Sequence, residues 1–92
     1  MVSRLDVILT IGLFPGLQSR GVVDKMGKAV TTLPVVRQWV HQLKKDGLVE
    51  LKENRLFLTD TPKTQKLFRL LHFCLKNKID YNVVVSEQTA QL

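Results

Sequence analysis

The stretch VVRQWVHQLKK, residues 35–45, contains no carboxylate. Other scarcities also bound what this chain can be. Cys74 is the only cysteine, so no intrachain disulfide can form. That fits a reducing cytoplasm, the expected compartment. No apolar run approaches the roughly 20 residues of a membrane span; VILTIGLF stops at Pro15-Gly16. The N-terminus MVSRLDVI places Asp6 early in its apolar stretch and has no small-residue cleavage site, so it does not read as a signal peptide. Aromatics make up only 7% of the chain, and an isolated Trp39 is a poor base-stacking platform, so its expected place is the edge of the core.

Catalytic and metal-binding patterns are equally thin. His41 and His72 stand far apart, with no Cys or Glu at ligand spacing, so neither a metal nor a cofactor is expected. Cys74 lies inside an apolar run and reads as packing rather than as a nucleophile. GVVDKMGKA, residues 21–29, looks briefly like a phosphate loop. It has five residues between its glycines instead of four, and Ala29 where a magnesium-binding hydroxyl should stand. No carboxylate pair or Ser-His-Asp set is gathered by periodicity. Ninety-two residues suffice for one small core with little room for a cleft. The expectation is a protein that is not an enzyme.

What is present is a confined positive charge. Residues 20–69 hold eleven Lys or Arg against five acids, which is the whole net excess of +6; both ends of the chain sum to zero. A middle segment that carries all the charge points to an acidic partner, most commonly nucleic acid.

The pattern of elements is helical with one break in period. Ser3 and Asp6 have capping-box spacing ahead of SRLDVILTIGLF, where Leu5, Ile8, Leu9 and Gly12 share a face. Pro15-Gly16 stops that helix. A second helix is expected over about 19–28, with Val22, Val23 and Met26 inward, capped by Gln18 or Ser19. A third runs over about 33–46, capped by Thr31 or Thr32 with Pro34 in its first turn and ended by Gly47. Wound at about 100° per residue, it sets Val36, Trp39, Val40 and Leu43 against Arg37, Gln38, His41, Gln42, Lys44 and Lys45. LVEL, KENR and LFLT read as two short strands around a polar turn, a hairpin over 48–59. Thr61-Pro62 begins a fourth helix that reaches about Asn77. In DYNVVVSEQTAQL, VVV favours strand while Ser86 and Glu87 resemble a helix start.

The order helix, helix, helix, hairpin, helix resembles the winged helix–turn–helix regulators of bacteria and archaea, in the broad MarR-like and ArsR-like sense. The residues that carry the resemblance are VVRQWVHQLKKDGLVEL followed by RLFLT, within residues 3–77. It implies a mainly α fold with a small β-hairpin, comprising a winged-helix domain over 1–79. Residues 80–92 are then a tail that either begins a further region or completes itself on a partner. It also implies duplex DNA as partner and transcriptional regulation as role. The nine positions from Gly27 to Val36 exceed the tight turn of that family, so either the second helix is longer or the turn is enlarged.

On this reading the third helix lies in a major groove. Thr32, Val35, Arg37, Gln38 and His41 face bases, and Lys44 and Lys45 extend the same polar side. Arg20, Lys25 and Lys28 meet phosphates, as do Lys52 and Arg55 on the hairpin. Each of these positions also has a plainer reading as solvated charge. The fourth helix spreads apolar residues over about 240° of its circumference, well beyond an ordinary surface helix. That implies a homodimer through Leu67, Phe68, Leu71, Phe73 and Leu75, unless the first helix and the tail cover both sides within one molecule. Two other functions remain open: a winged-helix module for protein interaction or assembly, and a nucleic-acid-binding domain of a larger protein.

Overall fold

Ser3 begins the fold by closing a reciprocal cap. Its hydroxyl accepts from the Asp6 N–H at 3.2 Å, and its own N–H donates to the Asp6 carboxylate at 2.9 Å. The computed structural model describes residues 2–89, with side chains through Val85. Its elements are α1 (Arg4–Leu13), α2 (Ser19–Lys25), a 3-10 turn (Val30–Thr32), α3 (Leu33–Lys45), β1 (Val49–Lys52), β2 (Arg55–Leu58), α4 (Pro62–Lys76) and α5 (Tyr81–Thr89). Among the described residues the chain is thus mainly helical with one two-stranded antiparallel hairpin. Among the described residues no helix is long and apolar enough to cross a membrane.

α1 is the centre of the molecule. One buried face was expected, yet Val7, Thr10 and Ile11 are buried as well as Leu5, Ile8 and Leu9. The reason is that α2, α3, α4 and β2 all pack on it, while α5 is tied to its first turn by hydrogen bonds. Gly12 faces the ring of Phe68: a Cβ there would lie 2.3 Å from Phe68 Cε1. Glycine therefore lets α4 approach α1 closely.

The Pro15-Gly16 stop does more than end α1. Gly16 takes φ +90, and the chain then runs alongside β2: the Gly16 N–H donates to Leu56 O at 2.9 Å and the Leu56 N–H donates to Leu17 O at 2.8 Å. Leu17 and Leu56 form an isolated antiparallel bridge, so β2 is paired on both edges. In the hairpin, Lys52 opposes Arg55. The two-residue tip Glu53-Asn54 has φ 52 and 63, the doubly left-handed turn whose twist suits paired strands.

Three expectations are corrected. α2 ends at Lys25, so the long connection to α3 is an enlarged turn that contains the 3-10 helix. Thr32 is in αR conformation and its hydroxyl makes no capping bond, because α3 continues directly from that 3-10 turn. VVV is helical. Asp80 accepts at its side chain from the Asn82 N–H (3.0 Å) and at its carbonyl from Val83 and Val84, which starts α5 at Tyr81. Val85 is fully buried, whereas Asn82, Val83 and Val84 are exposed. The end of that tail, residues 90–92, lies outside the described residues.

Other local signals act as read. Gly47 takes φ +76, with Gly47 N–H donating to Lys44 O and Leu48 N–H to Leu43 O, the paired bonds of a left-handed helix stop. Trp39 is half-buried against the core and donates from Nε1 to Val2 O at 3.3 Å. Cys74 is buried.

Candidate nucleic-acid interface

α3 owes its position to a narrow seam. Val36, Val40 and Leu43 are buried, and the stop at Gly47 brings the chain directly into β1. The rest of the helix faces outward. Arg37, Gln38, His41, Gln42, Lys44 and Lys45 are all exposed, as is Val35. Asp46, the carboxylate nearest this face, is occupied: Arg4 reaches it at 3.4 Å and the Gln42 amide donates to it at 3.1 Å. Arg4 therefore cancels the one negative charge at the end of the helix. Among the described residues, Arg37, Lys44 and Lys45 have no carboxylate within ion-pair distance. The result is one helix face with guanidinium, amide and imidazole groups towards its N-terminal half and two ammonium groups at its end.

The remaining expected contacts divide. Arg20 and Lys28 are exposed near α2, which packs against α3. Lys25 is also exposed, but its ammonium lies 4.7 Å from the centroid of the Phe14 ring. The hairpin cations are engaged within the chain. Lys52 pairs with Glu50 at 3.0 Å, and Arg55 donates from Nη1 to Gly16 O at 3.0 Å, clasping the segment that bridges β2. Thr32 is half-buried. Val30, given no role in the sequence reading, is 56% exposed immediately before α3.

The residues expected between two copies also separate. Leu67 and Leu71 are buried in the chain's own core, and Phe68 is half-buried against Gly12 and stacks on His72 at 5.7 Å. Two of the five residues expected between copies thus lie in the chain's own core, and a third packs on α1. Phe73 and Leu75 remain exposed, on different sides of α4. Phe73 stands among the exposed Lys66, Arg69 and Lys76, so two copies joined through it would oppose like charges. α4 carries four basic residues, Lys63, Lys66, Arg69 and Lys76, and the last three have no role in the sequence expectations. Their signal was legible as the lack of any Asp or Glu over residues 62–76.

A second polar feature lies between α1 and α5. Asp6, Thr10, Met26, Lys28 and Tyr81 line a depression of about 250 Å³, below the common size of small-molecule sites. The Tyr81 hydroxyl donates to Asp6 Oδ1, and the Ser3 hydroxyl donates to Asn82 Oδ1 at 2.6 Å. Burial raises the Asp6 pKa, but hydrogen bonds from Tyr81, Ser3 and Asn82 outweigh it and hold the carboxyl below its ordinary 3.8. Burial, the same hydrogen bond and the negative charge of Asp6 push the Tyr81 hydroxyl well above its ordinary 10.0. These groups lock α5 onto α1.

The signs follow from linkage. The Asp6 contribution is fully present above pH 3.8 and is lost as pH falls through the lowered folded value. The Tyr81 contribution is fully present below pH 10.0 and is lost as pH rises through the raised one. Urea midpoints measured against pH should therefore fall at both extremes. Tyr81→Phe should remove the tyrosine's part of the alkaline loss and shrink the Asp6 part of the acid loss, because the hydrogen bond that most lowers the Asp6 pKa is gone. An unchanged profile in that variant would show that the pair does not couple α5 to folding. Tyr81 is the only tyrosine, so phenolate absorbance reports its titration directly.

The chain matches no protein-family model and no curated protein sequence.

Proposed function

We propose that this chain is a non-catalytic domain that binds duplex DNA in the manner of a winged helix, with α3 in the major groove, and that it serves transcriptional regulation. The observation that carries this reading is the exposed face of α3. It presents Arg37, Gln38, His41, Lys44 and Lys45 together, while Asp46 is held by Arg4 and Gln42. Guanidinium and amide groups bond guanine and adenine edges in the major groove, and ammonium groups meet phosphate. The order of elements supports the fold reading, as does the segment at Leu17 that lies along β2 in front of α2.

Arg20 and Lys28 flank α3 as phosphate contacts. The hairpin takes a lesser part, since Lys52 and Arg55 already have partners within the chain. The rival reading, a module whose basic face meets an acidic protein, has no separate observation in its favour.

Affinity for random duplex DNA, measured across a salt series, tests the proposal. The logarithm of affinity should fall linearly with the logarithm of salt; no binding at low salt would overturn the reading. Arg37→Ala and Gln38→Ala should each lose about 1–3 kcal/mol of discrimination between sequences while most nonspecific affinity remains. Circular dichroism must first show that the variants are folded. Equal preference in variant and unaltered chain would remove α3 from the groove.

A further inference from the structure

α4 carries a second basic surface whose chemistry differs from that of α3. At about 100° per residue, Leu67, Leu71 and Cys74 form the inward seam, and Lys66, Arg69, Phe73 and Lys76 lie on the opposite side. The first three are buried and the last four exposed. No Asp or Glu occurs in the helix. Among the described residues, Lys63, Lys66 and Lys76 have no carboxylate within ion-pair distance. Arg69 uses its Nε to donate to Gln65 O at 3.4 Å; its guanidinium has five N–H donors in all. Phe73, 58% exposed, falls between Arg69 four residues before it and Lys76 three residues after it. From Lys66 to Lys76 this face spans about 15 Å of helix.

We propose that the exposed face of α4 binds an unpaired stretch of nucleic acid, with Lys66, Arg69 and Lys76 on its phosphates and Phe73 stacked on a base. This surface goes beyond the duplex contact of α3 and stands or falls separately from it. A row of cations alone fits any phosphodiester backbone. A lone ring is a poor platform by itself, but Phe73, unlike the half-buried Trp39, stands outward among cations; a duplex keeps its base faces stacked inside, whereas an unpaired strand offers a base face flanked by phosphates.

Two other occupants fit less well. A second copy would set cations against cations. A helix lying on a membrane presents a broad apolar face with its cations on the polar side, but here cations surround a single ring.

The position of α4 also links it to the charged end of α3. Thr59 donates from its hydroxyl to Gly47 O at 2.7 Å and shares a 2.7 Å hydrogen bond with Thr64. The first turn of α4 therefore adjoins the stop that follows Lys44 and Lys45.

The test titrates the whole chain with an oligothymidylate, which cannot pair with itself, and with a random duplex, both across a salt series. The combined variant Lys66→Gln, Arg69→Gln, Lys76→Gln should bind oligothymidylate at least about tenfold more weakly, with its salt slope reduced by about two. Phe73→Ala should also lose on the order of tenfold on the single strand, with little change in slope and none on the duplex. A combined Arg37→Gln, Lys44→Gln, Lys45→Gln variant should weaken duplex binding and spare the single strand. Single-strand affinity unchanged in both α4 variants would overturn the proposal. It would also be overturned if Phe73→Ala were silent while the α4 cation variant lost duplex and single strand equally. Vesicles containing phosphatidylserine supply the third arm: loss of vesicle binding with oligothymidylate binding intact would assign the face to lipid and overturn it as well. If the unaltered chain binds oligothymidylate through α4 and no duplex at all, the α3 reading alone fails.

Discussion

Ile8→Ala is expected to lower the free energy of unfolding by about 2–5 kcal/mol, the range for large-to-small changes at buried aliphatic positions. Ile8 has no exposed surface and sits in the middle of α1, the helix on which α2, α3, α4 and β2 all pack. A cavity there borders several elements at once, and the neighbours cannot all move in to fill it. A chain of 92 residues has on the order of 5–14 kcal/mol of stability in total, so one methyl-rich side chain represents a large share. The melting temperature should fall by on the order of 10–30 °C. Val84, 42% exposed on α5, is the control: Val84→Ala should stay within about 0.5 kcal/mol. Chemical denaturation of both variants checks this. Equal midpoints for Ile8→Ala and the unaltered chain would mean that α1 is not the centre of the core.

The second large effect concerns the charge on α3. In Arg37→Gln, Lys44→Gln, Lys45→Gln, three cations are removed from exposed positions without touching the seam of Val36, Val40 and Leu43. If Lys44 and Lys45 each neutralise one duplex phosphate while Arg37 meets a base edge, the slope of log affinity against log salt should fall by about 1.8. Near 0.1 M salt that difference corresponds to a loss on the order of fiftyfold relative to the unaltered chain. Lys44 and Lys45 also lie in the last turn of α3, where a cation favours the helix end by about 0.3–1 kcal/mol. The folded fraction should consequently stay high, and circular dichroism checks it. An unaltered slope would show that no phosphate meets this face. Asp46→Asn provides a contrast. It removes the carboxylate held by Arg4 and Gln42, so it should raise duplex affinity modestly at low salt.

Much of the local structure was legible because its causes lie within a few residues. The capping box is Ser3 and Asp6, three apart. The end of α3 needs only Gly47, whose missing Cβ permits φ +76. The inward seam of α3 follows from helical period, and the hairpin from a change of that period around a polar tip. The lack of acids on the outer face of α3 is a property of composition, and it was visible before any contact was known.

Other features depend on residues distant in sequence. VVV favours strand by its branched side chains, yet a cap at Asp80 and the burial of Val85 hold it in a helix that packs on α4. Pro15-Gly16 reads as a stop, while its pairing with Leu56 requires the hairpin to return beside it. That Arg55 donates to Gly16 O and Lys52 pairs with Glu50 is likewise set by where the fold brings the hairpin. The apolar belt of α4 divides in a way that period cannot show: Leu67 and Leu71 enter the chain's own core, Phe68 packs on Gly12 of α1, and Phe73 stays exposed among cations. Period and capping alone determined which residues are helical over α1, α3 and α4, where the hairpin turns, and that the positive charge is concentrated in the middle of the chain. Only tertiary structure decided which charges on that segment remain turned outward, because a charge is cancelled by whatever group the fold brings beside it, as Arg4 does for Asp46 from 42 residues away.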